Sequence, residues 1–411
     1  VGRKAPRHRD ARFLMSFSRA DKSRFAEWSF TIDRMLLSAL LALIIIGLVL
    51  SFAASPAVAM KKGFDTYYFV ERHAVFATLS AALMLVMSFL SPSGVRRAAL
   101  AVLVASLAGM AAVLLTGAEM NGAQRWLSIA GYSLQPSEFA KPAFVVVIAW
   151  LFAEAAGRRD VPAWPLAIGL WAVFAGLLVS QPDVGQTVLI STTAGILYLL
   201  AGLPVIGAVA LVALGSGGLW YAYQNFNHVH SRLDRFFSPL PFENFQVDRA
   251  MQSFAEGGLF GRGPGEGTIK SVLPDAHTDF IFAVVGEEYG VLACIGLLGV
   301  FAVIVIKALI RAAEEPVPAD RLAIQGLAIV FGLQALINMG VNIGMLPPKG
   351  MTLPFISAGG SSMIALAITA GFLLALTRYR PNPQRLKKPR LVATLEAIAY
   401  RGGDEAQAEV K

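Results

Sequence analysis

The residues best suited to chemistry stand where a polar segment runs into a long apolar one. The stretch from Leu273 to Phe282 reads LPDAHTDFIF and contains two carboxylates and an imidazole, those of Asp275, His277 and Asp279. A carboxylate at the edge of an apolar helix costs several kcal/mol unless it has a partner or a cavity. These side chains are therefore functional candidates, and the predicted work is chemistry on a polar head group held at the membrane surface.

Two shorter polar segments add four charged candidates. Glu138 and Lys141 are three residues apart at a predicted helix start, so they share one helix face. They either form an ion pair that locks the helix entry or contact a ligand. Arg125, beside Trp126, either binds a ligand or makes an ordinary contact with lipid headgroups. Asp183 either caps the helix that follows it or joins the same site.

The longest polar segment spans residues 223–275 and includes Arg232. Residues 246–256 place apolar side chains at helical spacing, which predicts an amphipathic helix lying in the membrane interface. The glycine-rich stretch 257–267 has neither the sequence of a P-loop nor that of a dinucleotide fingerprint. Its backbone N–H groups could still bind phosphate, and a flexible loop is the alternative.

A third segment, residues 344–362, is broken by prolines and by Gly359. Non-helical backbone at membrane depth persists only when it packs in protein or lines a wet cavity. Lys349 is the cation predicted to face that cavity. Ser357 and Ser361 are candidate ligand contacts, with helix capping and packing as the alternative role.

Composition places these segments in a membrane protein. The chain has 411 residues, 56% hydrophobic and 15% charged, whereas soluble proteins carry roughly 25% charged residues. The eighth apolar window contains Glu287 and Glu288, which cannot both face lipid, so at least one should pair inside the bundle. The prediction is an all-α polytopic fold with ten transmembrane helices, each long enough for about 30 Å of hydrocarbon: 35–55, 69–90, 98–117, 138–154, 163–180, 187–202, 204–222, 276–306, 322–341 and 357–377.

Basic residues predict the orientation. With the N-terminus in the cytoplasm, the inner segments hold 24 of the 35 Lys and Arg residues and the outer ones 11. Both termini are then cytoplasmic, and 223–275 is a large periplasmic loop between helices 7 and 8. Residues 1–34 form a basic cytoplasmic segment, 35–380 the membrane domain and 381–411 a disordered cytoplasmic tail. The net charge of +8 is explained by inner-leaflet lipids rather than nucleic acid.

Taken together, the polar segments resemble the SEDS family (shape, elongation, division and sporulation), and its division branch more than its elongation branch. The resemblance covers roughly residues 35–380, and its specificity comes from the order and spacing of motifs that are individually weak. The motifs are Arg125-Trp126, QPSEFAK at 135–141, QPDVG at 181–185, GGLFG at 257–261, HTDFIFA at 277–283, Glu287-Glu288, PFIS at 354–357 and GGSS at 359–362.

The resemblance implies a peptidoglycan glycosyltransferase that polymerises lipid II at the outer face of the bacterial cytoplasmic membrane, enriched at the division septum. It implies partnership with a class B penicillin-binding protein, a transpeptidase, and with other divisome proteins. The position matching the family's catalytic aspartate is Asp279. No cofactor is expected with certainty, and a divalent cation, Mg²⁺ or Mn²⁺, is an open possibility.

The chemistry of this reaction assigns roles to the candidates. An α-linked donor that becomes a β-linkage needs one in-line displacement, hence one general base and positive charge for the departing diphosphate. Asp279 is the predicted base, and capping of the eighth helix is its alternative role. His277 orients Asp279, acts as base itself or packs at the interface. The diphosphate partners are sought among Arg125, Lys141, Arg232 and Lys349.

Two other functions remain open at this point. A flippase for lipid-linked precursors should hold its key charges near the bilayer midplane, whereas these candidates cluster at the outer surface. A non-catalytic scaffold that recruits the transpeptidase should tolerate loss of the Asp279 carboxylate.

Overall fold

The computed structural model describes residues 23–116, 118–120, 123–129, 132–157, 162–225, 230, 234, 245–347 and 350–379. It separates into two compact units, of which the larger is Asp33–Thr377. The smaller unit includes α1 (Arg24–Thr31), and Arg378 Nε donates a hydrogen bond to Thr31 Oγ1 at 2.9 Å. The predicted tail, 381–411, lies outside the described residues.

Each of the ten predicted spans coincides with a described helix. Seven of these helices are long and apolar enough to cross a membrane, and two more are apolar with 17 residues each, Val184–Leu200 and Gly360–Leu376. The chain is therefore a multi-pass helical membrane protein, as predicted. The helices are α2 (Arg34–Lys61), α3 (Tyr68–Ser88), α4 (Pro92–Thr116), α5 (Pro136–Gly157), α6 (Ala163–Ser180), α7 (Val184–Leu200), α8 (Val205–Asn225), α10 (Ile281–Glu314), α11 (Pro318–Asn342) and α12 (Gly360–Leu376).

Helix starts follow local chemistry. Asp33 caps α2 by accepting two N–H bonds of the first turn at 3.1 Å, and its other oxygen pairs with Arg311 at 2.6 Å. Pro136 and Pro318 open α5 and α11, where the missing N–H group costs nothing. These two helices and α12 are buried over the largest part of their length and form the centre of the bundle.

A small antiparallel meander lies between α4 and α5, an addition to the predicted all-α fold. Its strands are β1 (Ala118–Met120), β2 (Ala123–Ile129) and β3 (Tyr132–Leu134), in that order. Strands of three to seven residues are too short to show a reliable alternation in sequence. The meander matters to the site because it holds Arg125 in the middle of β2.

The eighth membrane helix begins later than predicted and is broken. It starts at Ile281 rather than near 276, and Gly290 interrupts it with φ of 82°. A Cβ at Gly290 would lie 2.3 Å from the carbonyl oxygen of Leu259. Only glycine permits both the positive φ and this close approach of the outer loop.

The outer loop rests against the first part of α10. Helix α9 (Phe245–Gly257) confirms the predicted amphipathic helix, with Val247 and Ala250 buried. Its Phe254 ring lies 5.8 Å from the ring of Phe282 on α10. The apolar face of α9 therefore packs on protein.

The carboxylates of Glu287 and Glu288 fix the end of the glycine-rich stretch and the residues after it by hydrogen bonds. Glu287 accepts hydrogen bonds from the N–H groups of residues 268–270 at 2.6 to 3.0 Å. Glu288 accepts from the Gly265 N–H at 3.0 Å and pairs with Lys270. Both glutamates are buried, which confirms the predicted structural pairing. Within 257–267, the N–H group of Gly265 is thus occupied by a carboxylate, and those of Arg262 and Gly263 donate to the carbonyls of Glu287 and Glu288. The suggested phosphate binding is wrong for these three N–H groups.

Two glycines of this loop provide a matched test. Gly261 and Gly265 have similar φ angles, 81° and 88°, so alanine strains the backbone equally at both. A Cβ at Gly261 would lie 2.2 Å from the Glu288 carbonyl oxygen, whereas Gly265 has open space. We expect Gly261→Ala to lower the melting temperature clearly more than Gly265→Ala, since overpacking adds about 1–3 kcal/mol. Equal shifts in thermal unfolding would contradict the close packing of loop and helix.

Candidate active site

Asp279 lies in a tight turn just before α10. The Asp275 carbonyl accepts hydrogen bonds from the N–H groups of Thr278 and Phe280 at 3.0 and 3.2 Å, and Asp275 has φ of 52°. The N-cap residue of α10 is Phe280, whose own side chain makes no cap hydrogen bond. The capping role considered for Asp279 is therefore not what the structure shows.

A stripe of amide side chains along one face of α11 donates hydrogen bonds to the backbone of this turn. Asn338 Nδ2 donates to the Asp279 carbonyl at 2.9 Å and to the Met351 carbonyl at 2.7 Å. Asn342 Nδ2 also donates to the Asp279 carbonyl at 2.9 Å, and its oxygen accepts the Ala283 N–H at 3.0 Å. The stripe thus fixes the backbone of Asp279 and leaves its carboxylate free.

The amide stripe was not among the site residues predicted from the sequence. Gln334, Asn338 and Asn342 recur every four residues and so share one face of an otherwise apolar helix. Such a repeat inside a predicted span was the available signal, because polar side chains in a membrane helix face the bundle interior.

The segment before α12 closes the turn from the other side. Ser357 Oγ donates to the Thr278 carbonyl at 2.6 Å and accepts the Leu353 N–H at 2.8 Å. The Ala358 N–H donates to the His277 carbonyl at 2.9 Å. Ser357, a predicted ligand contact, is thus engaged in joining two loops. The other predicted serine, Ser361, lies partly exposed in the first turn of α12.

The Asp279 carboxylate is partly exposed and faces Gly350, where a Cβ would lie 3.4 Å from Oδ2. Among the described residues, no side chain donates a hydrogen bond to it or pairs with it. Burial, assisted by the neighbouring Asp275 carboxylate, raises the pKa of Asp279 from 3.8 to about 7. A carboxylate with such a pKa can accept a proton at neutral pH.

His277, two residues before Asp279, is buried. Its ring lies 4.7 Å from the ring of Phe69 on α3, and its Nδ1 has no hydrogen-bond partner within the described part of the chain. Burial, followed by the positive charge of Lys62, lowers the pKa of His277 to about 4. The imidazole is therefore neutral at pH 7 and packs against an aromatic ring, one of the three roles considered for it.

Glu138 and Lys141 form a buried ion pair on α5, with 2.8 Å between Oε2 and Nζ. Gln186 on α7 donates to Glu138 at 2.8 Å, and Lys141 donates to Gln334 at 2.9 Å. Gln334 in turn donates to the Thr352 carbonyl at 3.1 Å. Of the two predicted roles, the structure shows the ion pair, which connects three helices to the segment before α12.

Arg125 reaches from the meander to the turn before α7. Its Nε donates to the Gln181 carbonyl at 3.0 Å, and its guanidinium also donates to the Pro182 carbonyl. It pairs with Asp183 at 3.6 Å, and Asp183 caps α7 through the Gln186 N–H at 3.3 Å. Two further predicted cations, Arg232 and Lys349, lie outside the described residues.

The sequence of the chain matches a known protein family. The sequence model of the FtsW, RodA and SpoVE family, described as cell cycle proteins, matches residues 33–382. The chain belongs to the SEDS family.

Curated SEDS relatives are FtsW proteins. The chain is 46% identical over 373 residues to "Probable peptidoglycan glycosyltransferase FtsW" of Caulobacter vibrioides, covering 89% of this chain and 94% of that protein. It is 32% identical over 360 residues to the protein of the same name from Geobacter metallireducens, covering 85% and 96%. Within the SEDS family the chain is therefore FtsW-like, as its motifs predicted.

Solved SEDS structures share the fold. One belongs to a peptidoglycan synthase complex that coordinates polymerization and crosslinking, with a TM-score of 0.69 and 28% identity, covering 84% of this chain and 97% of that one. The Rod shape determining protein RodA of Thermus thermophilus matches with a TM-score of 0.62 and 27% identity, covering 85% and 98%. Among the described residues, no three His, Cys, Asp or Glu side chains form a metal-binding group; the divalent cation stays a prediction.

The raised pKa of Asp279 has a measurable consequence for stability. Its folded pKa of about 7 exceeds the unfolded value of 3.8, so ionisation destabilises the fold, and the penalty is complete only above pH 7. We expect Asp279→Asn to raise the melting temperature, and to raise it more at pH 8 than at pH 5. Asp275→Asn, at an exposed position, removes only the smaller, electrostatic cause of the raised pKa and should therefore raise the melting temperature less than Asp279→Asn. A lower melting temperature for Asp279→Asn at pH 8 would show that the carboxylate has a stabilising partner.

Proposed function

We propose that this chain is a peptidoglycan glycosyltransferase that polymerises lipid II into glycan strands during septal cell-wall synthesis. The names of the FtsW relatives support the activity, and one structural observation carries the assignment of the site. That observation is the carboxylate of Asp279, which pairs with no side chain among the described residues, lies on a fixed backbone just before α10 and has a pKa of about 7.

The reaction is a single displacement with inversion. Asp279 accepts the proton of the acceptor sugar's hydroxyl group, and the hydroxyl oxygen forms a bond to the anomeric carbon of the lipid-linked donor. The bond from that carbon to the diphosphate oxygen breaks, and undecaprenyl diphosphate leaves with the electron pair. One carboxylate suffices, because the close carboxylate pair of retaining glycosidases serves a two-step mechanism.

The surrounding residues prepare Asp279 for this step. The side chains of Asn338 and Asn342 fix the backbone of Asp279, so the carboxylate does not need to be ordered during the reaction. His277, with a pKa of about 4, is too weak a base to compete for the proton at neutral pH. Of His277 and Asp279, Asp279 is the one whose pKa suits a general base at neutral pH.

The proposal also includes the orientation of the chain in the membrane and its partners. The excess of basic residues in alternate segments supports cytoplasmic termini and a position of the Asp279 turn at the outer face. The fold shared with a chain of a peptidoglycan synthase complex supports pairing with a crosslinking transpeptidase, a class B penicillin-binding protein. Other divisome membrane proteins and the surrounding lipids are the remaining proposed contacts.

Glycan assembly from lipid II by the purified protein and its partner transpeptidase tests the activity. Wild type should make polymer, and Asp279→Asn should lose it by at least about 100-fold, the contribution of a general base. Asp275→Asn should retain polymerisation. Translocation of lipid II without polymer would favour a flippase, and full activity of Asp279→Asn would remove the base assignment. Cell division that survives this substitution would instead favour a scaffold.

The pKa of Asp279 predicts a pH profile. Because the base must be ionised, the rate should rise about tenfold between pH 6 and pH 8 and then level off. Asp275 contributes to the raised pKa, so Asp275→Asn should move the midpoint to lower pH. Steady-state rates of both proteins across this range check the prediction, and an unchanged midpoint in the variant would contradict the electrostatic coupling.

A further inference from the structure

Two of the cations first considered for the diphosphate, Arg125 and Lys141, are paired with carboxylates, and the other two, Arg232 and Lys349, lie outside the described residues. A departing diphosphate requires positive charge that no carboxylate compensates. Each of four described cations on the outer side instead pairs with a carboxylate: Arg125 with Asp183, Lys141 with Glu138, Arg262 with Glu256 and Lys270 with Glu288.

Two exposed cations at the corner between α2 and α3 are held differently. Among the described ion pairs, none includes Lys62 or Arg72. The Lys62 Nζ atom lies 5.6 Å from the centroid of the Phe69 ring, and the Arg72 Cζ atom lies 5.9 Å from that of Phe76. An aromatic ring orients a cation without cancelling its charge. These side chains can therefore still bind an anion.

The same two rings contact the loops of the candidate active site. Phe69 packs on the His277 ring with centroids 4.7 Å apart. Phe76 packs on the start of α12, where a Cβ at Gly360 would lie 2.7 Å from its Cζ. Phe69, Arg72 and Phe76 are three and four residues apart, so they share one face of α3.

Lys62 is also electrostatically close to the turn of Asp279. Its charge is the second cause, after burial, of the lowered pKa of His277. The Asp279 carboxylate faces Gly350, and the His277 ring faces Phe69. Base and cations therefore border the same turn without neutralising each other.

We propose that Lys62 and Arg72 bind the diphosphate of the lipid-linked donor and remain in contact with it as it leaves. This inference rests on the proposed polymerase function. It assigns the leaving-group site to the corner between α2 and α3, while Asp279 receives the acceptor's proton. The third described cation near this corner, Lys61, is exposed at the end of α2 and has no described contact with the site.

Charge removal with a matched control tests the proposal. We expect Lys62→Gln and Arg72→Gln each to raise the KM for lipid II about tenfold with a smaller change in kcat, because the diphosphate is bound throughout. Inhibition by undecaprenyl diphosphate should weaken by the same factor. Lys61→Gln removes the same charge one residue away and should leave both quantities unchanged. Lys62→Arg should retain most of the affinity, and melting temperatures confirm that each variant is folded.

The assay is run in phosphatidylcholine nanodiscs and in nanodiscs that also contain phosphatidylglycerol. Equal loss in both supports a diphosphate site, whereas loss only with phosphatidylglycerol would mean that the cations bind bulk headgroups and would overturn the proposal. Lys62→Gln and Arg72→Gln proteins that both behave like Lys61→Gln would also overturn it. If wild type makes no polymer, the polymerase assignment fails, and direct binding of undecaprenyl diphosphate to wild type and variants still decides whether the corner binds diphosphate.

Discussion

Non-helical backbone at the edge of a membrane must find its hydrogen bonds within the protein, and the rest of this site depends on how that is done. Water is scarce there, so each unsatisfied backbone group costs several kcal/mol. The amide of Asn338 provides two donors and uses them on two different loops, at the carbonyls of Asp279 and Met351. Asn342 adds a second donor to Asp279. One helix face thereby satisfies and fixes the backbone on both sides of the site.

In this arrangement the residues that hold Asp279 in place do not contact its carboxylate. The amide stripe binds main-chain oxygen atoms, so nothing in it neutralises the carboxylate that it positions. Further support comes from packing: Phe355 has φ of 61°, and a Cβ at Gly47 on α2 would lie 2.1 Å from the Phe355 carbonyl oxygen. Such a backbone conformation persists only where its surroundings fix it. The backbone around Asp279 is thus held by packing as well as by hydrogen bonds.

Sequence predicted the parts of the fold that depend on local pattern. Long apolar runs located the helices, and the position of Asp279 at the start of one of them followed from a polar segment meeting such a run. The break at Gly290 could not be predicted, because its cause is the approach of Leu259, 31 residues earlier in the chain. The pairing of Glu287 was foreseen in kind, whereas its partners, three backbone N–H groups, depend on the fold of the outer loop.

For the candidate site too, the sequence predicted the residue types but not the groups that these residues contact. Charged residues at the outer surface were found correctly, but their partners decide what they do. Arg125 and Lys141 are each compensated by a carboxylate, whereas no described ion pair includes Lys62, which stands next to Lys61 in the sequence. The four-residue spacing of Gln334, Asn338 and Asn342 was visible in the sequence. Its targets, in two distant loops, were not.

The buried pair of Glu138 and Lys141 shows why loss of activity does not by itself identify a ligand contact. Lys141 donates to Gln334, and Gln334 donates to the Thr352 carbonyl, in the segment that packs on the turn of Asp279. Removing Glu138 would leave Lys141 as an uncompensated buried charge, which costs about 3–5 kcal/mol. Such a change could displace the Thr352 segment and inactivate the enzyme without touching substrate. An effect that acts through this chain of contacts should lower stability as well as activity, whereas loss of an exposed, unpaired cation such as Lys62 should lower affinity alone.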